Sequence, residues 1–324
     1  MANQTEVYEI TLVGFPGLPE KYNIPISILM LLVYMASVSA NGIVITMVML
    51  KEQLHKPMYL IIANLATADL LFDTITLPKM IGKYWFGVTT TFPECLLQMF
   101  LVHYLNTTDS YIFMLMAIDR YVAICKPLRY PSIISRRAVG IGCCVCWVVA
   151  SFTALTALVM NAHAPPCGSN KINTVMCTNI AVTALACQDT SLIKKTTYVF
   201  AMVILFLPLS FILPSYIIII HIIRSSPGTE SWRKAFYTCT THLCAIAVHY
   251  VPRVFVYTAH EVNLNFNADI NVLLLCLYSY VPHVCNPIIY CLRNKDIKGS
   301  VAKLLPRRIL FKGVNVFSPQ TITI

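Results

Sequence analysis

The chain has 324 residues, of which 57% are hydrophobic and only 12% are charged, and its formal net charge at pH 7 is +10. Soluble domains average about 25% charged residues, so this composition excludes an ordinary soluble protein and indicates a membrane protein. The basic residues lie in short segments between apolar stretches, which is typical of a topology signal and argues against a nucleic-acid-binding protein.

Seven apolar stretches are each long enough to cross a hydrocarbon core, which takes about 20 helical residues. They predict an all-α membrane protein folded as a seven-transmembrane helix bundle. Polar side chains interrupt the third stretch, and because lipid offers them no partner, we expect the third helix at the centre of the bundle. The predicted spans cover residues 24–50, 57–81, 96–124, 139–162, 196–223, 235–259 and 270–292.

Most Lys and Arg residues fall in the loops after the first, third and fifth spans and in the C-terminal tail. The positive-inside rule therefore predicts that the N-terminus is outside and the C-terminus inside. We expect an extracellular N-terminal tail at residues 1–23, the bundle at 24–293, and a cytoplasmic amphipathic helix and tail at 294–324. Asn3 begins a glycosylation sequon in the outer tail.

Four cysteines lie on the outer side in this topology, where disulfides persist. Four cysteines allow three disulfide pairings, and their spacing does not choose among them. A zinc site is the rival interpretation, and the absence of a Cys-x-x-Cys pair among the four argues against it. The four outer residues are Cys95, Cys167, Cys177 and Cys187.

A charged pair, Asp119 and Arg120, lies at the inner end of the third span, in a segment that reads MAIDRYVAICKPLRY. Adjacent residues do not share a helix face, so we expect each of the two to have its own partner. An arginine at the membrane boundary can exchange partners between two states. That property is what a conformational switch requires.

The segment resembles the Asp-Arg-Tyr region of rhodopsin-like G-protein-coupled receptors, and its continuation resembles that of odorant receptors. Most rhodopsin-like receptors carry Cys-Trp-x-Pro in the sixth span, whereas residues 249–252 read His-Tyr-Val-Pro, with the tyrosine that is typical of odorant receptors. The extended outer segment 261–269 resembles the fish-like, class I subgroup. Further matches to the family pattern are Asn41, 57–59, Asp69, Trp147, 215–216, 234–242 and 286–290.

This resemblance implies a plasma-membrane odorant receptor, expected in the cilia of olfactory neurons. It implies a small-molecule odorant, a stimulatory, olfactory-type G protein that raises cyclic AMP, and surrounding membrane lipids, with no cofactor and no nucleic-acid partner. It also implies disulfides Cys95–Cys177 and Cys167–Cys187. The implied switch and G-protein-coupling residues are Asp119, Arg120, Tyr121, Tyr216 and Tyr290.

Four polar residues of different spans would converge at mid-membrane if the helices pack as in that family. A carboxylate there costs about 2.5–3.5 kcal/mol on insertion scales, so each acid needs a compensating partner. One interpretation is a hydrogen-bonded structural network, and the other is a sodium ion held by the two acids or a proton shared between them. The residues are Asn41, Asp69, Asp109 and Asn286.

The sixth span carries a polar stripe whose residues follow three-four spacing and so share one helix face. Its arginine should point into the bundle, because lipid does not solvate a guanidinium. With His103 of the third span it predicts an outer-half pocket that holds one cation and one imidazole, and we place Phe206 there too. The stripe comprises Tyr250, Arg253, Val254, Tyr257, His260 and Glu261.

A guanidinium fork suits a carboxylate, so a short organic acid is the first expected ligand and a zwitterion such as an amino acid is the second. A structural role is the alternative for each residue. Arg253 can pair with Glu261 or Asp189, or extend to the outer surface, and His103 can be a satisfied histidine of the bundle.

Two rival functions remain at this point. The same receptor type can serve a metabolite or hormone outside the nose, which tissue expression would distinguish. A transporter or channel is less favoured, because the spans show no inverted repeat and no series of pore-lining charges. An enzyme is not expected, because the sequence carries no metal-ligand cluster, nucleophile elbow or phosphate loop.

Overall fold

The computed structural model describes residues 9–167, 170–225, 230–261 and 266–293. Nine α-helices lie within these ranges. Seven are long, and the two short ones, α4 and α6, belong to the loops after α3 and α5. Their bounds are α1 (Asn23–Leu50), α2 (Pro57–Phe86), α3 (Phe92–Cys125), α4 (Tyr130–Ile133), α5 (Arg136–Ala162), α6 (Asn179–Thr183), α7 (Ser191–Ser225), α8 (Glu230–Glu261) and α9 (Ala268–Arg293).

Each predicted span lies inside one long helix, so the prediction of a seven-helix bundle is confirmed. Among the described residues, α1, α2, α5, α7 and α9 are long and apolar enough to cross a membrane by length and composition alone. The other two long helices, α3 and α8, carry the buried polar residues of the candidate sites. Those polar residues lower their hydropathy but lie inside the bundle, where other helices supply partners.

Polar caps start α3 and α5 a few residues before the predicted spans, and a glycine ends α2 a few residues after its span. Thr91 and Glu94 form a reciprocal capping box at the start of α3, and Ser135 accepts a hydrogen bond from the backbone of Ala138 at the start of α5. Gly87 ends α2 in the left-handed region, with φ of 67°, which glycine adopts at little cost.

Helix α3 is the centre of the bundle, as its polar interior predicts. It packs against α2, α5, α7 and α8 and also contacts the loop elements at both of its ends. Large apolar side chains such as Leu32, Phe152 and Ile217 remain exposed on the outside of α1, α5 and α7. This distribution fits a bundle whose surroundings are lipid.

A small sheet covers part of the outer end, which the all-α prediction did not include. Strand β1 (Glu9–Leu12) pairs with β2 (Thr90–Thr91) in antiparallel fashion and with β3 (Lys171–Ile172) in parallel fashion. Ile10 and Leu12 of β1 are buried. The described part of the N-terminal tail is therefore fixed to the loops at this end, whereas the Asn3 sequon and residues 294–324 lie outside the described residues.

Both disulfides implied by the family resemblance are present. Cys95 is bonded to Cys177 and Cys167 to Cys187, with Cα–Cα distances of 5.4 and 5.8 Å. The backbone N–H of Cys177 donates to Gln98 Oε1 at 2.9 Å. Because Gln98 lies on α3, this bond and the first disulfide hold the loop between α5 and α7 against the outer end of the bundle.

Candidate ligand, central and switch sites

Arg253 is buried on α8 and makes its contacts with neutral groups. It is 6% exposed, its Nη2 donates to Asn106 Oδ1 of α3 at 2.6 Å, and its Nη1 contacts the ring of His249 one turn below. The guanidinium also lies 5.9 Å from the centre of the Tyr278 ring of α9. We call Asn106, His249, Arg253 and Tyr278 the Arg253 cluster. It joins α3, α8 and α9.

The sequence suggested Asp189 and Glu261 as ion-pair partners of Arg253, and the structure describes the side chain of only the first. Asp189 accepts hydrogen bonds from the backbone and hydroxyl of Ser191, at 2.9 and 2.6 Å, and is exposed at the outer surface. These bonds lower the pKa of Asp189, so it is an anion satisfied by its own turn. The side chains of His260 and Glu261 lie outside the described residues. Elsewhere in the described chain, no ion pair involves Arg253.

The structure groups most of the other predicted ligand residues around this cluster. His103 lies one turn outward from Asn106 on the same face of α3, and its Nε2 is buried with no hydrogen-bond partner among the described residues. Tyr250 is buried and donates to the carbonyl of Ser110 at 3.2 Å. Val254 and Tyr257 are partly buried and pack against the core.

Phe206 does not join the Arg253 cluster. It lies on α7 with 51% of its surface exposed, whereas its neighbour Leu205 is 4% exposed. The helix therefore turns Leu205 inward and Phe206 outward. Its inclusion in the predicted pocket is wrong on this geometry, because half of its surface is exposed on the outside of α7.

The four predicted mid-membrane residues do converge, and two further residues join them. Asp69, Asp73, Asp109 and His283 are all 0% exposed; we call these four the central acidic site. Asn286 donates to Asp69 Oδ2 at 3.0 Å. Asp73 accepts from Ser37 at 2.5 Å and lies 2.8 Å from His283 Nδ1, while Asn41 donates to the carbonyl of His283 at 3.1 Å.

Sequence reasoning missed Asp73 and His283, although each carried a usable signal. Asp73 follows Asp69 by one helical turn and so lies on the same face of α2, and His283 precedes Asn286 by nearly one turn on α9. It also missed Asn106 and His249 as partners of Arg253. A buried polar residue one turn from another buried polar residue is the pattern that would have found all four.

At the inner end, the prediction that Asp119 and Arg120 each have a separate partner is wrong. Arg120 donates to Asp119 Oδ2 from Nη2 at 2.7 Å and from Nε at 3.0 Å. Asp119 also accepts from the hydroxyl of Tyr130 at 2.8 Å, and Arg120 contacts the sulfur of Met58. The long arginine side chain folds back along α3, so the pair meets although the two Cβ atoms point apart.

The other predicted switch residues lie at the same end of the bundle. Tyr216 is 2% exposed, and its hydroxyl has no hydrogen-bond partner among the side chains that the structure describes. Tyr290 donates weakly to Met116 Sδ at 3.7 Å, and Tyr121 packs against the core. Burial, and then the Asp119 carboxylate, raise the pKa of Tyr130 in the inner loop. Its hydroxyl therefore stays protonated and remains a donor to Asp119.

Comparison of the sequence with known proteins identifies a family of receptors. A family model described as olfactory receptor matches residues 30–308. Olfactory receptor 2AT4 of Homo sapiens is 33% identical over 295 residues, covering 91% of this chain and 92% of that protein. Olfactory receptor 2T5 of Homo sapiens is 32% identical, covering 96% and 98%, and olfactory receptor 5H19 of Mus musculus is 35% identical, covering 95% and 99%.

Proposed function

The chain belongs to the olfactory receptor family, a family of G-protein-coupled receptors, and from this premise we propose that its odorant is a small carboxylic acid or another strongly polar molecule that binds at Arg253. As a member of the family it is a multi-pass plasma-membrane receptor for small molecules and not an enzyme. We further propose that it activates a stimulatory G protein, raises cyclic AMP, and acts in olfactory cilia. The class I subgroup stays a prediction.

The observation that carries the ligand proposal is a buried guanidinium whose described contacts are all neutral. Arg253 bonds an amide oxygen and an imidazole and faces an aromatic ring. These contacts put no negative group in direct contact with the guanidinium, although Asp69 and Asp109 interact with its charge at longer range. A buried charge without a counter-charge in contact is costly. A carboxylate ligand would supply both the missing charge and two acceptors in the geometry of the fork.

His103 supports the same location for the ligand. Its Nε2 is buried one turn outward from Asn106 and has no partner within the described part of the chain, so a polar atom of the ligand would meet an unsatisfied group there. A ligand that touches His103 and Arg253 bridges α3 and α8. These are the helices that carry Arg120 at the inner end and Pro252 in mid-helix.

Ligand binding would favour one arrangement of α3 and α8 over another, and release of Arg120 from Asp119 would then open the inner face. By thermodynamic linkage, the ligand and the G protein each tighten the binding of the other by the same factor. The proposed signal is therefore a shift between two states of the bundle.

The test is a screen of short organic acids, amino acids, aldehydes, amines and alcohols in cells that report cyclic AMP. We expect acids to be the most potent class. Arg253→Ala should then reduce the potency of the best acid by at least about tenfold, equivalent to about 1.4 kcal/mol. Arg253→Lys should recover only part of the loss, because lysine keeps the charge but not the fork.

Lys195→Ala is the matched control, because it removes a positive charge from an exposed position at the outer end of α7. It should leave the potency of the acid unchanged. If neutral or basic odorants are the best agonists and Arg253→Ala does not alter their potency, Arg253 is structural and the ligand proposal fails. If cyclic AMP does not respond but another G-protein pathway does, only the proposed coupling fails.

The alternative use of this receptor, for a metabolite or hormone outside the nose, involves the same site chemistry. Expression of the transcript in olfactory neurons against other tissues would separate the two uses. A receptor absent from olfactory neurons and abundant elsewhere would contradict the proposed location in cilia.

A further inference from the structure

The lipid-facing side of α5 has a shallow groove near its inner end. The groove has a volume of about 480 Å³, and apart from Arg137 it is lined by apolar residues. Ile141, Val145 and Val148 form its walls and are 57%, 54% and 55% exposed. Residues spaced three or four apart share one face of a helix, so these side chains follow a single stripe along α5. The stripe ends at Arg137, in the first turn of the helix.

Gly140 forms the floor of this groove. A glycine inside a helix costs stability relative to alanine, so it usually has a packing reason. Gly142 has one, because a Cβ there would meet the side chain of Leu115 of α3 at 3.1 Å. At Gly140, no atom of the described chain outside its own helix backbone lies within 4 Å of a Cβ built on its backbone. The missing side chain therefore opens space toward the membrane and not toward another described helix.

The length of the groove matches one leaflet of a bilayer. Its two end residues are Arg137 and Val149, which at 1.5 Å per residue are separated by about 18 Å of helix. Half of a hydrocarbon core is about 15 Å thick. A lipid with its headgroup at Arg137 would therefore lay an acyl chain along the whole groove and end near the middle of the membrane.

The inner end of the groove is strongly basic. The segment 126–137 contains no acidic residue, and its four basic residues are all exposed: Lys126, Arg129, Arg136 and Arg137. In the described part of the chain, no ion pair involves Arg136 or Arg137. On the topology that the positive-inside rule predicts, this end of α5 meets the inner leaflet. The anionic headgroups of that leaflet attract basic segments beside a membrane-spanning helix.

We propose that this groove binds one anionic phospholipid of the inner leaflet, with its headgroup at Arg137 and one acyl chain over Gly140. A zwitterionic phospholipid offers the same chain but no net charge for the guanidinium. A second copy of the chain is the other occupant that the shape admits, because small residues such as Gly140 and Cys144 let two helices approach closely. It would bring its own basic segment next to the first, however, and like charges in contact repel. The basic end therefore favours the lipid.

Purified full-length receptor in detergent is the material for the test, with phosphatidylserine and phosphatidylcholine of identical acyl chains as the probes. Native mass spectrometry counts the lipid molecules that stay bound at each lipid concentration. We expect the receptor to retain one more phosphatidylserine than phosphatidylcholine, and to have a higher thermal midpoint of unfolding with phosphatidylserine, because a molecule that binds the folded state stabilises it. Equal retention of the two lipids would overturn the proposal.

Two variants address the two parts of the groove, and each has a matched control. Arg137→Ala removes the headgroup contact and should weaken phosphatidylserine binding about fivefold, the effect of one basic residue at an anionic surface. Its control is Lys195→Ala, at an exposed position at the outer end of α7. Gly140→Leu fills the floor and should abolish binding of the additional lipid. Its control is Gly42→Leu on α1, where a Cβ likewise meets nothing within 4 Å and no basic residue lies within two helical turns.

Both controls should bind phosphatidylserine as the unmodified chain does. Equal lipid binding by Gly140→Leu and Gly42→Leu would place the lipid elsewhere and contradict the proposal. If Gly140→Leu does not yield folded receptor, Arg137→Ala decides the result, and an unchanged affinity for phosphatidylserine would then count against the groove. A covalent dimer that forms on oxidation through the exposed Cys144, and that Gly140→Leu abolishes, would assign the groove to a second copy of the chain and overturn the lipid.

Discussion

The two disulfides provide the sharpest test of the outer framework, because they differ in loop length and burial. The Cys95–Cys177 bond closes a loop with a sequence separation of 82, and the Cys167–Cys187 bond closes one of 20. In the chain-entropy model these loops correspond to about 4.5 and about 3.3 kcal/mol at 25 °C. We therefore expect removal of the first pair to cost about 1.2 kcal/mol more, about eightfold in the folding equilibrium.

Burial acts in the same direction. Cys95 and Cys177 are 0% exposed, as is the neighbouring Met176, whereas Cys167 and Cys187 are exposed. Loss of the first disulfide releases a buried segment from α3, and loss of the second affects only a surface loop. Both entropic values are upper limits, because a chain already inserted in a membrane has fewer unfolded conformations to lose.

The assay compares two double variants, so that no single thiol is left to form a new bond. Cys95→Ser with Cys177→Ser should lower the thermal midpoint and the fraction of receptor at the cell surface more than Cys167→Ser with Cys187→Ser. Equal losses, or a greater loss for the second pair, would refute the reasoning from loop length and burial. Mass spectrometry of active receptor that found Cys95 and Cys177 as free thiols would refute the pairing itself.

Three further predictions concern the ends of α3. Arg120→Ala should abolish ligand-dependent cyclic AMP. Surface expression should remain measurable, because Arg120 is partly exposed at the inner end of the helix. Normal signalling by a variant receptor that is expressed would contradict this prediction. Thr91→Ala removes the capping box and should cost about 1 kcal/mol of stability, measured by thermal unfolding near neutral pH. The Thr91 backbone lowers the pKa of Glu94, so the stabilisation from this carboxylate is full above the ordinary pKa of glutamate and is lost as the pH falls below it. The stability difference between Glu94→Gln and the unmodified chain should therefore shrink in acid, and a difference that does not change with pH would count against the cap.

The sequence by itself determined the number of spans, their order and their orientation. Span length and hydropathy are properties of contiguous residues, and the distribution of basic residues among loops is equally readable along the chain. It also identified Arg253 and Asp109 as buried polar residues with a role, because a charge inside an apolar stretch needs a partner wherever that partner lies.

Only the tertiary structure decided what those partners are. Asn41 meets the backbone of His283, 242 residues away, and Asp73 and His283 join the central acidic site through the rotation of α2 and α9 about their axes. Asp119 and Arg120 pair against the expectation from helix geometry, because a flexible side chain can fold back along its own helix. Phe206 faces outward because α7 places Leu205 inward. Hydropathy measures whether a residue lies in the membrane, but the rotation of each helix and the reach of each side chain depend on packing between segments far apart in the chain.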